Sequence, residues 1–135
     1  MGLFRKKEKP QKQSVPDAMA NNVFGKSLLD GESIEISIDG KCEAEKLVFS
    51  VAVLARTNKR CFYYKQDGSQ AATESILFDK ITSVEQISGF EKKMGSYIGI
   101  KLQTIDGKAR VIRCLNNSEN QNKINTIIFE LQSRS

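Results

Sequence analysis

The sequence has no histidine and no tryptophan, and only two prolines and three cysteines among its 135 residues. Without an imidazole, the chain cannot form a Ser-His-Asp or Cys-His catalytic pair, a histidine-ligated zinc site or an imidazole pH switch. It also has no Gly-x-x-x-x-Gly-Lys phosphate loop, and a cysteine nucleophile would lack a histidine base. We therefore expect a protein that is not an enzyme and that uses no cofactor or metal.

The sequence also lacks a long hydrophobic run. Its longest apolar stretch, residues 47–55, is interrupted by Ser50, and a membrane-spanning helix needs about 20 residues. The cysteines at 42, 61 and 114 are widely spaced without a Cys-x-x-Cys pair, and Cys61 and Cys114 are predicted to be buried structural thiols in strands. With no apolar export signal near the N-terminus, these features predict a cytoplasmic location, with peripheral contact to the inner face of the membrane as the alternative.

The positive charge is concentrated at the N-terminus. The chain holds 21 Lys and Arg against 16 Asp and Glu, a net charge of +5. Residues 1–13 carry five bases and one acid, which is +4, so residues 14–135 contribute only +1. A body this close to neutral lacks the basic surface on which nucleic-acid binding usually depends, and we do not expect nucleic acid as a partner.

Residues 1–13 are predicted to be a disordered basic tail, because the tract 5–13 has no apolar residue with which to offset its ordering entropy. The alternative is a weak anchor, in which an apolar pair and the bases after it adsorb reversibly to an anionic membrane surface. Myristoylation is not expected, since Lys6 stands where that motif has Ser or Thr. The candidate contact residues of the tail are Leu3, Phe4, Arg5, Lys6, Lys7 and Lys9.

Two helices are predicted, one at each end of the body. A short N-terminal helix is expected over residues 14–31, beginning at Ser14-Val15-Pro16-Asp17 and stopped by Gly31, with Gly25 as a weak point. The C-terminal helix is expected to begin at Ser118 as the capping residue, with Gln121 in the capping-box position. Its apolar stripe consists of Ile124, Ile127, Ile128 and Leu131.

Between the helices, the periodicity predicts seven short antiparallel strands and a mainly β, α+β fold. The first strand, residues 33–39, alternates so that Ile34, Ile36 and Ile38 all face inward, and polar residues 56–60 are expected to end the second. Turns are predicted at Asp67-Gly68-Ser69 and Asp106-Gly107, with a kink near Asp79-Lys80. The remaining strands are expected at 47–55, 61–65, 75–78, 81–87, 97–102 and 109–115.

Three segments resemble the bacterial pleckstrin-homology-like (PH-like) family, particularly its YokE-like branch. Residues 28–32 match a Leu-x-Gly-Glu entry, residues 53–60 a Leu-x-x-Thr-Asn-x-Arg hairpin, and residues 78–84 an Ile-x-Ser-Val strand. The resemblance implies a PH-like bent seven-stranded sheet, or partly open barrel, over residues 32–135, capped by the C-terminal helix. It also implies a non-enzymatic scaffold. Specific inositol-phosphate binding is not expected, because Lys41, Lys46 and Arg56 lack the Lys/Arg-x-Arg ending of phosphoinositide readers.

Three segments of the body are candidate contact sites. The predicted loop Gly89–Gly95 carries Phe90, Lys92 and Lys93, and it would either enter a membrane or partner surface, or fold back so that Phe90 and Met94 plug the barrel end. A basic turn at Lys59 and Arg60 has a structural role or binds an anion. A groove beside the C-terminal helix could accept a partner strand, and its candidate residues are Ile81, Val84 and Ile87.

The leading hypothesis is a non-enzymatic interaction module that binds protein partners or itself through sheet edges and loops. The alternative is a peripheral binder of anionic membrane surfaces that uses the basic tail and the Gly89–Gly95 loop.

Overall fold

The computed structural model describes residues 18–41, 50–92 and 94–134. The predicted tail, the predicted helix start at residues 14–17, Cys42 and Lys93 lie outside the described residues. Short 3-10 turns lie at Gly25–Ser27 and Phe78–Lys80, the second at the predicted kink. The helices and strands in chain order are α1 (Ala18–Phe24), β1 (Ile34–Gly40), β2 (Ser50–Thr57), β3 (Arg60–Asp67), β4 (Gln70–Leu77), β5 (Ile81–Glu91), β6 (Gly95–Thr104), β7 (Ala109–Leu115) and α2 (Ser118–Arg134).

The described strands form two antiparallel sheets, one of four strands in the order β1-β2-β3-β4 and one of three in the order β5-β6-β7. The predicted turns are confirmed at Gly68 and Gly107, whose φ angles of 65° and 86° are positive. No ladder joins β4 to β5 among these strands, so the described part of the chain is not a closed barrel. The predicted mainly β class, with a C-terminal helix and a short N-terminal helix, is confirmed.

The two sheets are joined where β1 ends. Lys41 donates its N–H to the Arg113 carbonyl at 2.9 Å and accepts the Arg113 N–H at 2.8 Å. Gly40 makes this approach possible, because a side-chain carbon there would collide with the Arg113 carbonyl group. Farther along β7, the Tyr63 hydroxyl donates to the Val111 carbonyl at 2.8 Å. The sheets therefore meet through the first and last strands.

Two hydrophobic cores hold the fold together. The larger core lies between the sheets and is covered by α2, whose predicted stripe is confirmed because Ile124, Ile127 and Leu131 are buried in it and Ile128 packs beside it. The smaller core lies on the other face of the four-stranded sheet, where α1 packs and the rings of Phe24 and Phe62 stack with centroids 5.0 Å apart. Burial of Cys61 and Cys114 is confirmed, and neither forms a disulfide.

Several boundaries differ from the sequence predictions. α1 gives way to a 3-10 turn at Gly25, so helical structure ends at Ser27 and not at Gly31. A register shift in β1 between Ile34 and Ile36 sends Ile34 to the smaller core, whereas Ile36 packs on the larger one. The expectation that all three isoleucines of β1 face one way was therefore wrong.

The start of α2 is capped by a different residue from the predicted one. Asn117 Oδ1 accepts the Asn120 N–H at 2.8 Å, which places the cap one residue before Ser118. Gln121 Nε2 donates to Asn116 Oδ1 at 2.7 Å, so it does not complete a capping box with Ser118. Asparagine is as good a capping residue as serine, and the adjacent residues Asn117 and Ser118 are one of each.

Candidate functional site

The predicted basic turn contains a buried ion pair that joins the segment before β1 to the start of β3. Arg60 Nε lies 3.0 Å from Glu32 Oε2, and Arg60 Nη2 lies 3.0 Å from Glu32 Oε1. The Glu32 side chain is completely buried. It also accepts hydrogen bonds from the Thr57 hydroxyl at 2.6 Å and the Leu29 N–H at 2.9 Å. These hydrogen bonds lower the pKa of Glu32 to about 2, and the bond from Arg60 has the largest effect. They outweigh the burial of the carboxylate, which by itself would raise the pKa.

The remaining donors of Arg60 are also used within the fold. Nη1 donates to Ser75 Oγ and Nη2 to the Ser27 carbonyl, each at 2.9 Å, and the guanidinium lies 4.4 Å from the Phe62 ring centroid. The Arg60 charge is thus matched by Glu32. Lys59 is exposed and is the one cation of the predicted basic turn that is left for a ligand.

Two of the three sequence segments that carry the PH-like resemblance bind each other through this cluster. Besides the Glu32–Arg60 pair, Asn58 Oδ1 accepts the Ser33 N–H and Asn58 Nδ2 donates to the Gly31 carbonyl, both at 2.9 Å. Thr57 Oγ1 accepts the backbone N–H groups of Lys59 and Arg60 at 3.0 Å. The Leu-x-Gly-Glu and Thr-Asn-x-Arg segments therefore have a structural role in this fold.

Arg56 is a buried cation that the sequence prediction placed in a polar connection. It lies within β2 with a side chain only 6% exposed, and it contacts Glu35 on β1 and, at 3.0 Å, Glu130 on α2. The pair with Glu130 ties the C-terminal helix to the sheet. The second strand therefore continues through Arg56 and Thr57. Glu35 and Glu130 neutralise the Arg56 charge, and Glu32 accepts the hydrogen bond of the Thr57 hydroxyl.

The predicted groove residues lie mostly in the larger core. Ile81 and Val84 are buried there, and Ile87 is half-buried on the opposite face of β5. α2 packs over the inner face of this sheet, so Ile81 and Val84 already have a partner within the chain. They do not line an open groove.

The predicted Gly89–Gly95 loop is the end of a regular hairpin. β5 and β6 stay paired as far as Glu91 and Gly95, with Phe90 opposite Ser96. Phe90 is 75% exposed, so the interpretation in which it folds back to plug the barrel was wrong. Lys92 is exposed beside it. We call Phe90, Glu91, Lys92 and Met94 the hairpin tip.

Met94 lines a cleft of about 720 Å³ that brings the hairpin tip next to α1. Met19 and Asn22, in the first turns of α1, line the same cleft, as do Asp39 and Gly40 at the end of β1. The first residues of α1 and the hairpin tip therefore lie at the same end of the molecule. No sequence pattern indicates this juxtaposition, because about seventy residues separate the two segments.

β4 forms one edge of the four-stranded sheet. It pairs with β3 over all eight of its residues, Gln70 to Leu77, without a register shift, and no other described strand pairs with its outer edge. It contains no proline and no lysine. Its exposed residues are Gln70, Ala71, Ala72, Thr73, Ser75 and Leu77.

Metal ligation and thiol reactivity can both be assessed for the described residues. No group of three or more Cys, Asp or Glu side chains among them could hold a metal ion. Burial raises the pKa of the Cys114 thiol to about 12, and the charge of Asp39 adds to the effect, so this thiol is protonated at neutral pH. Neither described helix is long and apolar enough to cross a bilayer.

Comparison with known proteins identifies one related architecture. No protein-family model matches the chain, and no curated protein matches it. Among solved structures, the chain is similar to the hSac2 domain from the human phosphoinositide phosphatase Sac2, with 12% sequence identity and a TM-score of 0.51. The similarity covers 88% of this chain and 77% of that one, and at this identity it shows a shared fold.

Proposed function

We propose that the chain is a non-catalytic interaction module that binds a protein partner, or a second copy of itself, by strand addition to the outer edge of β4. The observation that carries this proposal is the unprotected edge: eight regularly paired residues, six of them exposed, with neither proline, lysine nor bulge. Edge strands in monomers are usually protected by one of these features, because their unpaired N–H and C=O groups invite another strand.

Two neighbouring features suit pairing between copies of the chain. The single acid of β4, Glu74, is held by Arg110 at 2.6 Å, so two β4 strands would not bring unpaired like charges together. Leu77 and Ile105 are 53% and 70% exposed and line one shallow cleft beside this edge. They supply apolar surface next to the backbone groups of β4.

The comparisons support this proposal at the level of fold. The hSac2 domain is a domain from a phosphoinositide phosphatase, and the PH-like resemblance of the sequence also implies a binding scaffold. A fold by itself does not choose between lipid and protein ligands. We therefore base the proposal that β4 is the binding edge on its exposed residues and its regular pairing with β3.

Lysines placed on the β4 edge test the proposal. We expect wild-type chain to show a concentration-dependent dimer by sedimentation equilibrium, and the Ala71→Lys/Thr73→Lys variant to weaken it by about tenfold or more, since edge lysines oppose strand pairing. Asn122→Lys/Asn125→Lys on the exposed face of α2 adds the same charge and should leave dimerisation unchanged. If wild type is monomeric and a photocrosslinker at residue 71 captures no protein partner, the β4 proposal fails.

A second candidate function is reversible adsorption to an anionic membrane surface. Exposure of Phe90 favours it, because this aromatic side chain lies 75% exposed at a hairpin end, where it could enter an apolar surface. Phe90 lies nine residues along β5 from Ile81, which is roughly 30 Å of extended strand. The hairpin tip and the Leu77 end of β4 are therefore separate surfaces, and both can be occupied at once.

A further inference from the structure

The backbone groups at the outer edge of β4 belong to every second residue of the strand. The two-residue turn Gly68-Ser69 lies between Asp67 and Gln70, and a turn of this length makes that pair a hydrogen-bonded one. Alternation along the ladder then directs the N–H and C=O groups of the even-numbered residues toward β3. The outward-pointing groups are those of Ala71, Thr73, Ser75 and Leu77. No described strand pairs with that edge.

Two copies of this edge can pair in only a few registers. A two-fold axis perpendicular to the sheet places two β4 strands antiparallel and continues each face of the sheet from one copy into the other. Opposite residues then have side chains on the same face, so one residue lies opposite itself on the axis. With Glu74 on the axis, Ala71 faces Leu77 and Thr73 faces Ser75. In this register every outward-pointing residue meets another one.

Neighbouring registers lose part of this ladder. With Thr73 on the axis, one end of the ladder would fall on Ser69 in the turn before β4. With Ser75 on the axis, it would fall on Asp79 in the 3-10 turn after β4. Turn residues do not present their N–H and C=O groups to a neighbouring strand as a strand residue does. The register with Glu74 on the axis therefore gives the longest complete ladder.

The shape of the edge suits the same register. The β6–β7 turn stands beside one end of β4, where residues 104–106 and residues 74–77 line a cleft of about 330 Å³. The side chain of the second copy that comes next to this cleft is that of Ala72, because Ala72 lies opposite Ile76. Alanine is the smallest side chain that a strand residue other than glycine can bring there. The crowded end of one strand thus faces the end of the other that needs least room.

The charges at the axis are balanced. Glu74 of one copy lies opposite Glu74 of the other, and unpaired like charges in this position oppose pairing. Each Glu74 carboxylate is held by Arg110 of its own copy, whose Nε and Nη2 donate to Oε1 at 2.8 Å and 2.6 Å. The axis therefore carries acids together with their own cations. On the other face of the sheet, the 53% exposed Leu77 lies against Ala71 of the second copy.

We propose that the partner at the β4 edge is a second copy of the chain, paired antiparallel with Glu74 on the two-fold axis. The four-stranded sheets of the two copies then form one continuous sheet. The edge is self-complementary in its outward backbone groups, in its charges and in its shape, and this favours a second copy over an unrelated strand. The inference rests on the proposed function and narrows it to one partner and one register.

Cysteine crosslinking tests the register. All variants carry Cys42→Ser, so that the remaining natural cysteines are buried. Thr73→Cys chain mixed with Ser75→Cys chain should give about tenfold more disulfide-linked dimer on mild oxidation than either chain alone, because opposite Cα atoms about 5.5 Å apart suit a disulfide. The control mixes Asn122→Cys with Asn125→Cys, both on the exposed face of α2, and should give no such excess.

A charge test addresses the axis without cysteines. Arg110→Gln leaves the two Glu74 carboxylates facing each other, so we expect the dimer dissociation constant to rise by about threefold to fivefold. Arg110→Gln/Glu74→Gln removes both charges and should restore the wild-type constant, which a purely structural loss at Arg110 would not do. Sedimentation equilibrium measures the constants, and circular dichroism shows that each variant is folded. If the double variant does not restore dimerisation, the two Glu74 residues do not meet on the axis.

The outcomes separate this inference from the function on which it rests. If the β4 lysine variant weakens a dimer but Thr73→Cys or Ser75→Cys crosslinks better with itself than in the mixture, the register is overturned and the β4 edge stands as the binding surface. If the chain is monomeric and residue 71 crosslinks to another protein, the second copy is overturned as the partner and strand addition stands. If the chain is monomeric and captures no partner, both are overturned.

Discussion

Two hairpin connections of this protein look alike in sequence and do opposite things in the structure. The β2–β3 connection and the hairpin tip both combine basic residues with a nearby phenylalanine. At the first, Arg60 is held by a buried Glu32 and packs against Phe62, so the aromatic and the cation serve the fold. At the second, Phe90 and Lys92 face solvent. At the first connection this follows from one acid, Glu32, which lies 28 residues before Arg60 in the chain.

Removing that acid is the most severe way to test the comparison. We expect Glu32→Ala to lower the free energy of unfolding by about 4 kcal/mol, because it leaves the Arg60 guanidinium without its charge partner and two further hydrogen-bond donors without their acceptor. Urea denaturation measures this loss as a lower midpoint with an unchanged slope. Glu119→Gln, at an exposed acid, is the control. A Glu32→Ala loss below about 1 kcal/mol would contradict a structural role for the pair.

Acid titration probes the same pair without a mutation. The folded pKa of Glu32, about 2, lies below the ordinary glutamate pKa of 4.5, so the unfolded state binds the proton more readily. Its contribution, of order 3 kcal/mol, is present above pH 4.5 and is lost as the pH falls toward 2. Wild type should therefore lose more stability than Glu32→Gln between pH 6 and pH 2.5. Parallel stability curves for the two proteins would count against the lowered pKa.

The hairpin tip should show the smallest effect on stability. Phe90→Ala removes a side chain that is 75% exposed, and we expect the free energy of unfolding to change by less than about 0.5 kcal/mol. Phe62→Ala, at the buried ring of the other hairpin, should cost about 3–5 kcal/mol. Thermal unfolding of both variants compares them directly. An equal loss of stability in the Phe90→Ala and Phe62→Ala variants would mean that Phe90 is a structural residue.

Local sequence signals predicted most elements of the fold. Alternation located β1 and β6, whereas only residues 75–78 were expected in a strand where β4 covers Gln70–Leu77. Asp-Gly at 67–68 and 106–107 located two chain reversals that the structure confirms. Such signals lie within a few residues of the feature that they specify. The apolar stripe of α2 is of the same kind, and it is buried as predicted.

The errors at Arg56 and Ile34 concern partners that are distant in sequence. Arg56 looks like the start of a polar turn until Glu130, 74 residues later, is placed beside it. Ile34 looks inward-facing until the β1–β2 register shift turns it to the other core. For the candidate sites, the sequence identified Phe90 as unusual but not its exposure, and it did not indicate β4. The exposure of Phe90 and the edge position of β4 depend on which strands pair in the folded sheets. The pattern of residues along the chain does not show this pairing.

The approach of Gly40 to Arg113 bears on the order in which the chain folds. Every strand pair within the two sheets joins strands that are consecutive in the chain, whereas the Lys41–Arg113 bridge spans 72 residues. Local pairings close short loops and form early, and the long closure has a larger loop-closure entropy cost than any one of them. We expect the two sheets to form separately and their union to wait for β7. During synthesis, the inner face of the first sheet then stays uncovered until β7 and α2 have left the ribosome.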